Sequence, residues 1–379
     1  MGDRCFLVLE DGSVFPGKPF GGPPSTADGL RHGAGEVVFN TGMTGYHEIL
    51  TDPSYKGQLI VMTYPHIGNY GAFDEWSESG MKGYAGSPII HAGGLIVRKY
   101  SGDHVPGGRY TLSDLLASGD IPGITDVDTR ALTLRIRDEG SPKGIIAASS
   151  GGGLLKDSEI RLITEYLESY PAMEGRNLVD GLGVVAPGEI SGENSRRHIV
   201  LIDCGFKSNI LRELVKRSCR VTVVPNTMDA PAIFALNPDA VFISNGPGDP
   251  GVLDFLIGVI KDLIGRLPVL GICLGHQLIC LALGANTFKM KFGHHGANHP
   301  VRDEFTKKVF VTSQNHGFSV EESSLPGDVR IWFRNANDRT VEGLMHADLP
   351  VRCVQFHPEA APGPYDSLWI FDELLACIA

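Results

Sequence analysis

The chain has 379 residues, 42% hydrophobic and 20% charged, with a formal charge of -11 from 33 basic and 44 acidic side chains. That length supplies two ordinary domain cores, and the composition excludes a mainly disordered chain. The acidic balance argues against a nucleic-acid partner, which needs a basic face, and the apolar stretch around Cys273 is too short to span a bilayer.

In chain order, Cys5-Leu9 and Ser13-Phe15 read as strands around Asp11-Gly12, a strong hairpin signal. The opening residues thus lead into a strand and lack the pattern of a secretory leader. Glu36-Phe39, Leu59-Thr63 and Gly94-Val97 read as further strands. A helix is expected over Thr129 to Arg137 with Asp128 as N-cap, and another over Ser158 to Leu167 after the flexible Gly151-Gly152-Gly153. Asp180 to Asn194, rich in Gly, Pro and Ser, reads as a linker. The expected division is a β-rich α/β N-terminal domain over 1–195, linker included, and a second domain over 196–379.

Beyond the linker, strands (Ile199-Asp203, Arg220-Val224, Ala240-Ser244, Pro268-Ile272) alternate with helices (Ser208-Arg217, Val252-Ile264). That alternation predicts βαβ units and an open, mostly parallel sheet flanked by helices, with sites at the carboxyl ends of its strands. Two sequences fall at such ends: Asn245-Gly246-Pro247-Gly248-Asp249-Pro250 and Gly271-Ile272-Cys273-Leu274-Gly275. The second is a strand-turn-helix elbow with a thiol at its tip. Flanking glycines suit the tight turn, and a helix N-terminus favours thiolate.

A thiolate nucleophile needs a base and a group to orient that base. Val351 to Phe356 reads as an apolar-rich strand ending in His357-Pro358-Glu359. Pro358 favours an extended backbone at His357, which sends the side chains of His357 and Glu359 to one face. A carboxylate so placed fixes the imidazole tautomer and stabilises the imidazolium. The Leu274 N–H at the helix start and an N–H of the Gly246-Pro247-Gly248 turn are candidate oxyanion donors.

Seven cysteines, an odd number without a C-x-x-C pair, argue against a disulfide framework and for a reducing cytoplasm. Cys5, Cys204, Cys219, Cys280, Cys353 and Cys377 sit in or beside apolar stretches and read as small buried hydrophobes. His294, His295 and His299 lack standard zinc spacing and read as a polar loop near the mouth of the site, so no metal is expected. Asp126 and Asp128 read as helix capping.

Gly-Ile-Cys-Leu-Gly-His-Gln (271–277), Ser-Asn-Gly-Pro-Gly-Asp-Pro (244–250) and His-Pro-Glu (357–359) resemble the class I, triad-type glutamine amidotransferases. Lys289 to Pro300, Gln314 to Phe318 and the N-terminal stretches Gly35 to Thr41, Met43 to Tyr46, Leu50 to Tyr55 and Thr63 to Asn69 resemble the small, glutamine-hydrolysing subunit of carbamoyl-phosphate synthetase. The resemblance implies Cys273 as nucleophile, His357 as base and then acid, and Glu359 as orienter. It implies Ser54, Gly246, Gly248, Leu274, Gln277, Asn315, Gly317 and Phe318 as L-glutamine contacts. No G-x-x-x-x-G-K-[ST] loop is present, so no cofactor is expected in this chain. The family implies a large partner subunit that uses ATP, with magnesium, to make carbamoyl phosphate from bicarbonate and the released ammonia. Whether the product feeds arginine or pyrimidine synthesis, and whether heterodimers assemble further, stays open. The alternatives are a non-catalytic regulatory subunit of the same fold and a stand-alone cysteine γ-glutamyl hydrolase. The intact cysteine, histidine and glutamate weigh against the first, and the large N-terminal domain against the second.

Overall fold

Strand pairing separates a closed barrel from an open sheet. The structure, a computed structural model, describes residues 4–30, 32–102, 104–192 and 194–378. At the start, Gly12 takes a positive φ of 83° and turns Cys5–Leu9 back into Val14–Gly21, as the Asp-Gly signal predicts. The pairing then continues through Pro122–Thr125, Gly94–Ile96, Gln58–Met62, Ala34–Asn40 and Lys143–Ala148, which returns to Cys5–Leu9. Seven strands thus form a ring. Leu7, Val37, Leu59, Ile96, Ile124 and Ile146 fill one shared cluster with Leu132 and Ile136 of helix Thr129–Glu139. Asp128 caps that helix by accepting from the Ala131 N–H at 3.0 Å.

The second sheet has ten strands. In spatial order they are Gly188–Ser191, Cys219–Pro225, Arg197–Asp203, Ala240–Ile243, Val269–Ile272, Val351–Val354, Val341–His346, Val329–Asn335, Thr287–Asp303 and Val309–Val320. The five from Cys219–Pro225 to Val351–Val354 are parallel, and the outer strands are antiparallel. Alternation buries both faces. Val200 and Ile202 meet Leu256, Ile260 and Leu278 on one side, while Ile199 and Leu201 meet Ile210, Leu214 and Phe371 on the other. Among the described residues, no helix is long and apolar enough to cross a membrane.

Two expectations are corrected. Gly188–Ser191 is not linker: it adds an antiparallel edge strand to Cys219–Pro225. Its half-exposed, polar composition hid it, because an edge strand needs only one paired side and few apolar contacts. Nor do His294, His295 and His299 form a loop. They lie on Thr287–Asp303, with His294 opposite His316 and His295 opposite Asn315. Register shifts between Lys289 and His294 and between Gly296 and His299 break the period of two that would have marked the strand.

Candidate active site

Cys273 follows Val269–Ile272 and opens helix Leu274–Ala282. Its backbone sits at φ 54°, ψ -105°, a conformation that side-chain-bearing residues rarely adopt. The flanking glycines are required sterically. A Cβ on Gly271 would come within 2.6 Å of Ile279 Cδ1, and one on Gly275 would overlap the Ile243 carbonyl. The strand, the turn and the helix therefore hold the sulfur in one place, where the thiol meets the Asn315 carbonyl oxygen at 3.5 Å.

His357 arrives from the end of the neighbouring parallel strand, and its backbone N–H donates to the Ser313 carbonyl at 2.8 Å. Its Nδ1 lies 2.7 Å from Glu359 Oε1. The other ring nitrogen, Nε2, is buried without a nitrogen or oxygen partner. Burial alone would discharge this ring. The Glu359 carboxylate and the Cys273 sulfur outweigh it and raise His357 to about 10. Burial likewise opposes charge on Glu359, but Lys207 and His357 together hold it down to about 2.

Lys207 was not anticipated from sequence. Its Nζ lies 3.0 Å from Glu359 Oε1, fully buried, and also donates to the Ala360 carbonyl. Burial disfavours its charge, yet Glu359, Asp52 and Glu78 keep its amine above the ordinary range. The one signal available was position: Lys207 follows the carboxyl end of Arg197–Asp203, beside the other strand ends that carry chemistry. Glu78, from the N-terminal unit, closes the far side of this array. Burial pushes it up to about 8, against the pull of Lys207 and of Arg212 at 2.8 Å.

A small cleft opens over Cys273. Ser54, Gly246, Gly248, Gln277, Asn315, Gly317 and Phe318 line it, together with Gln58, Met173, Pro247, His295 and His316. Of the glutamine contacts expected from sequence, only Leu274 does not line the cleft; its side chain is buried against Gly246. The cleft is held by bonds within the second unit and by bonds that cross between the two units. Asn315 Nδ2 donates to Asp52 Oδ2 at 2.9 Å and Asn315 Oδ1 meets His295 Nδ1 at 2.8 Å. Asn245 Nδ2 donates to Ser54 Oγ at 2.9 Å. Within the second unit, Gln277 Nε2 donates to the Phe318 carbonyl at 2.9 Å and to Gln355 Oε1 at 3.0 Å. Asp52 and Asn245 lie within stretches already singled out and Gln355 within the stretch read as the strand that leads to His357, but the sequence reading gave none of them a role, because their partners are remote in sequence.

A cysteine elbow, a histidine and a glutamate on adjacent parallel strand ends are the arrangement of a triad-type amidotransferase. Residues 200–377 match the family described as glutamine amidotransferase class-I. Residues 7–146 match the CPSase domain of the carbamoyl-phosphate synthase small chain. The carbamoyl phosphate synthase small chain of Methanocaldococcus jannaschii is 47% identical over 98% of this chain and 98% of its own length. The arginine-specific small chain of Bacillus subtilis is 46% identical over 98% of this chain and 96% of its own. A solved structure of a glutamine amidotransferase from Thermotoga maritima aligns at 16% identity and a TM-score of 0.36, over 48% of this chain and 84% of that one. This chain belongs to the carbamoyl phosphate synthase small chain family.

Proposed function

We propose that this chain hydrolyses L-glutamine and hands the ammonia to a large, ATP-dependent partner that makes carbamoyl phosphate. The observation that carries the reading is the placement of Cys273, on a strained elbow, in one cleft with seven of the eight expected glutamine contacts and within reach of the charged His357–Glu359 pair. Cys273 Sγ attacks the side-chain carboxamide carbon of glutamine. The carbonyl oxygen becomes an oxyanion facing the Leu274 N–H and the Gly246–Gly248 turn. The C–N bond breaks as His357 gives its proton to the departing nitrogen, leaving a glutamyl thioester and ammonia. His357 then takes a proton from water, which attacks the thioester carbon and releases glutamate and the sulfur.

Glu359 keeps the ring oriented and charged, and Lys207 keeps Glu359 ionised where burial alone would neutralise it. On this reading ATP and magnesium act on the large partner, the complex works in the cytoplasm, and this chain holds no cofactor of its own.

The test is Cys273→Ser in the complex with the large partner. Glutamine-driven carbamoyl phosphate synthesis and glutamate release should fall by about 1000-fold or more, while synthesis driven by added ammonia persists. Glutamine-driven product at the wild-type rate would remove Cys273 from its role. Loss of ammonia-driven synthesis as well would point to damaged assembly.

A further inference from the structure

Behind the elbow, between the same helix and a neighbouring strand, lies a second side-chain cluster that glutamine hydrolysis does not use. His276 and Cys280 are four residues apart on helix Leu274–Ala282 and so share a face. Cys353, on the neighbouring strand Val351–Val354, meets them. All three are completely buried. His276 Nδ1 lies 3.2 Å from Cys353 Sγ and 3.9 Å from Cys280 Sγ. One donor atom from each side chain falls within 4.8 Å of the other two.

The imidazole is the anomaly. A fully buried histidine ordinarily finds oxygen or nitrogen partners for its ring. Among the described residues His276 has neither; its only polar neighbours are the two sulfurs. Sulfur is a poor hydrogen-bond partner for a buried imidazole and a good co-ligand for a metal.

We propose that His276, Cys280 and Cys353 form a binding site for a single thiophilic d10 cation, and that monovalent copper fits it best. Metal–sulfur bonds of about 2.3 Å and metal–nitrogen bonds of about 2.0 Å place such donors roughly 3.5–4 Å apart, so the separations present need only small adjustments. Thiolates and imidazole select copper(I) or zinc over harder ions. Zinc prefers a fourth donor, whereas copper(I) is satisfied by three, which is the number this fully buried cluster supplies among the described residues. Binding releases the thiol protons and leaves the two thiolates and a neutral imidazole as ligands. The ion would tie the helix that begins at the nucleophile to the strand that leads to His357. Its role is therefore structural: it would stiffen the shared support of the sulfur and the imidazole without touching substrate.

The full-length chain, produced in medium supplemented with copper or with zinc, tests this in a Cys273→Ser background that removes the nucleophilic thiol. Expected is a single tightly held ion per chain, with a metal-edge absorption spectrum fitted by two sulfurs and one nitrogen and a raised thermal midpoint. Retention of zinc in place of copper, with the same donor set, supports the site and changes the preferred ion. Adding Cys280→Ala or Cys353→Ala should abolish both the ion and the rise in midpoint. Ion content unchanged by either substitution overturns the proposal, as does a donor set lacking two sulfurs, or no retained ion from either medium. Should a substituted chain fail to fold, the donor count from the unsubstituted pair of sulfurs still decides.

Discussion

The barrel and the open sheet treat their strand ends differently, and the contrast explains where the chemistry sits. In the barrel the ring of strands closes on itself, and Leu7, Val37, Leu59 and their neighbours pack into one buried cluster. In the sheet, parallel strands all end on one side. Four successive loops there carry Lys207, the Gly246–Gly248 turn, Cys273 and His357. The barrel contributes from outside its ring, through Asp52 and Ser54 in the turn before Gln58–Met62 and through Glu78. On the proposed mechanism the sheet owns the atoms that make and break bonds, and the barrel owns one wall and part of the electrostatic support.

That division can be broken by substitution. The largest effect should come from the elbow itself. Gly275→Ala forces a methyl into the Ile243 carbonyl and displaces the nucleophile, so glutamate release should drop by at least ~100-fold; steady-state assays of purified chain would show it. Near-normal turnover would mean that the turn is not the rigid support described here.

Lys207→Met should come next, and chiefly in stability. It leaves Glu359 buried without its ammonium partner, which costs about 3–5 kcal/mol on chemical denaturation. An unchanged denaturation midpoint would show that the carboxylate finds another partner.

Glu359→Gln sharpens the electrostatic half of the comparison. Because His357 is raised to about 10 from 6.5, its pairing stabilises fully below 6.5 and is lost as pH rises through about 10. Without the carboxylate, the alkaline limb of kcat/KM and the loss of stability should both move towards lower pH. A limb that stays in place would assign it to another group.

The smallest effect is expected across the unit boundary. Ser54→Ala removes one neutral hydrogen-bond partner from Asn245, worth about 1 kcal/mol, so KM for glutamine should rise roughly fivefold with kcat nearly unchanged. A fall in kcat instead would place the barrel nearer to the chemistry than its position suggests.

Much of the site could be read from short stretches of chain. Cys273 announces itself because a strained turn at this spacing tolerates only glycine on both flanks, and the overlaps at Gly271 and Gly275 supply the reason. His357 and Glu359 are two residues apart, so local backbone geometry alone brings them together. Lys207, Asp52, Glu78 and Gln355 had no such signal. Each acts through a partner far away in sequence, and a buried charge looks like any other charge until its surroundings are known. The strand at Gly188–Ser191 and the histidine-bearing strand were hidden for a related reason, since edge pairing and register shifts weaken the alternation that marks a strand.

The amino-acid order by itself determined the elbow, the pairing of His357 with Glu359, the alternation of strands and helices in the second unit, and the family to which the chain belongs. These rest on contacts within a few residues or on motifs that tolerate little change. Only the tertiary structure decided that the first unit closes into a barrel, that Lys207 holds Glu359 charged, that Asp52 and Ser54 finish the cleft, and that two sulfurs surround an otherwise unpartnered imidazole. Each of those depends on desolvation and on distances between remote segments, and both exist only once the chain has folded.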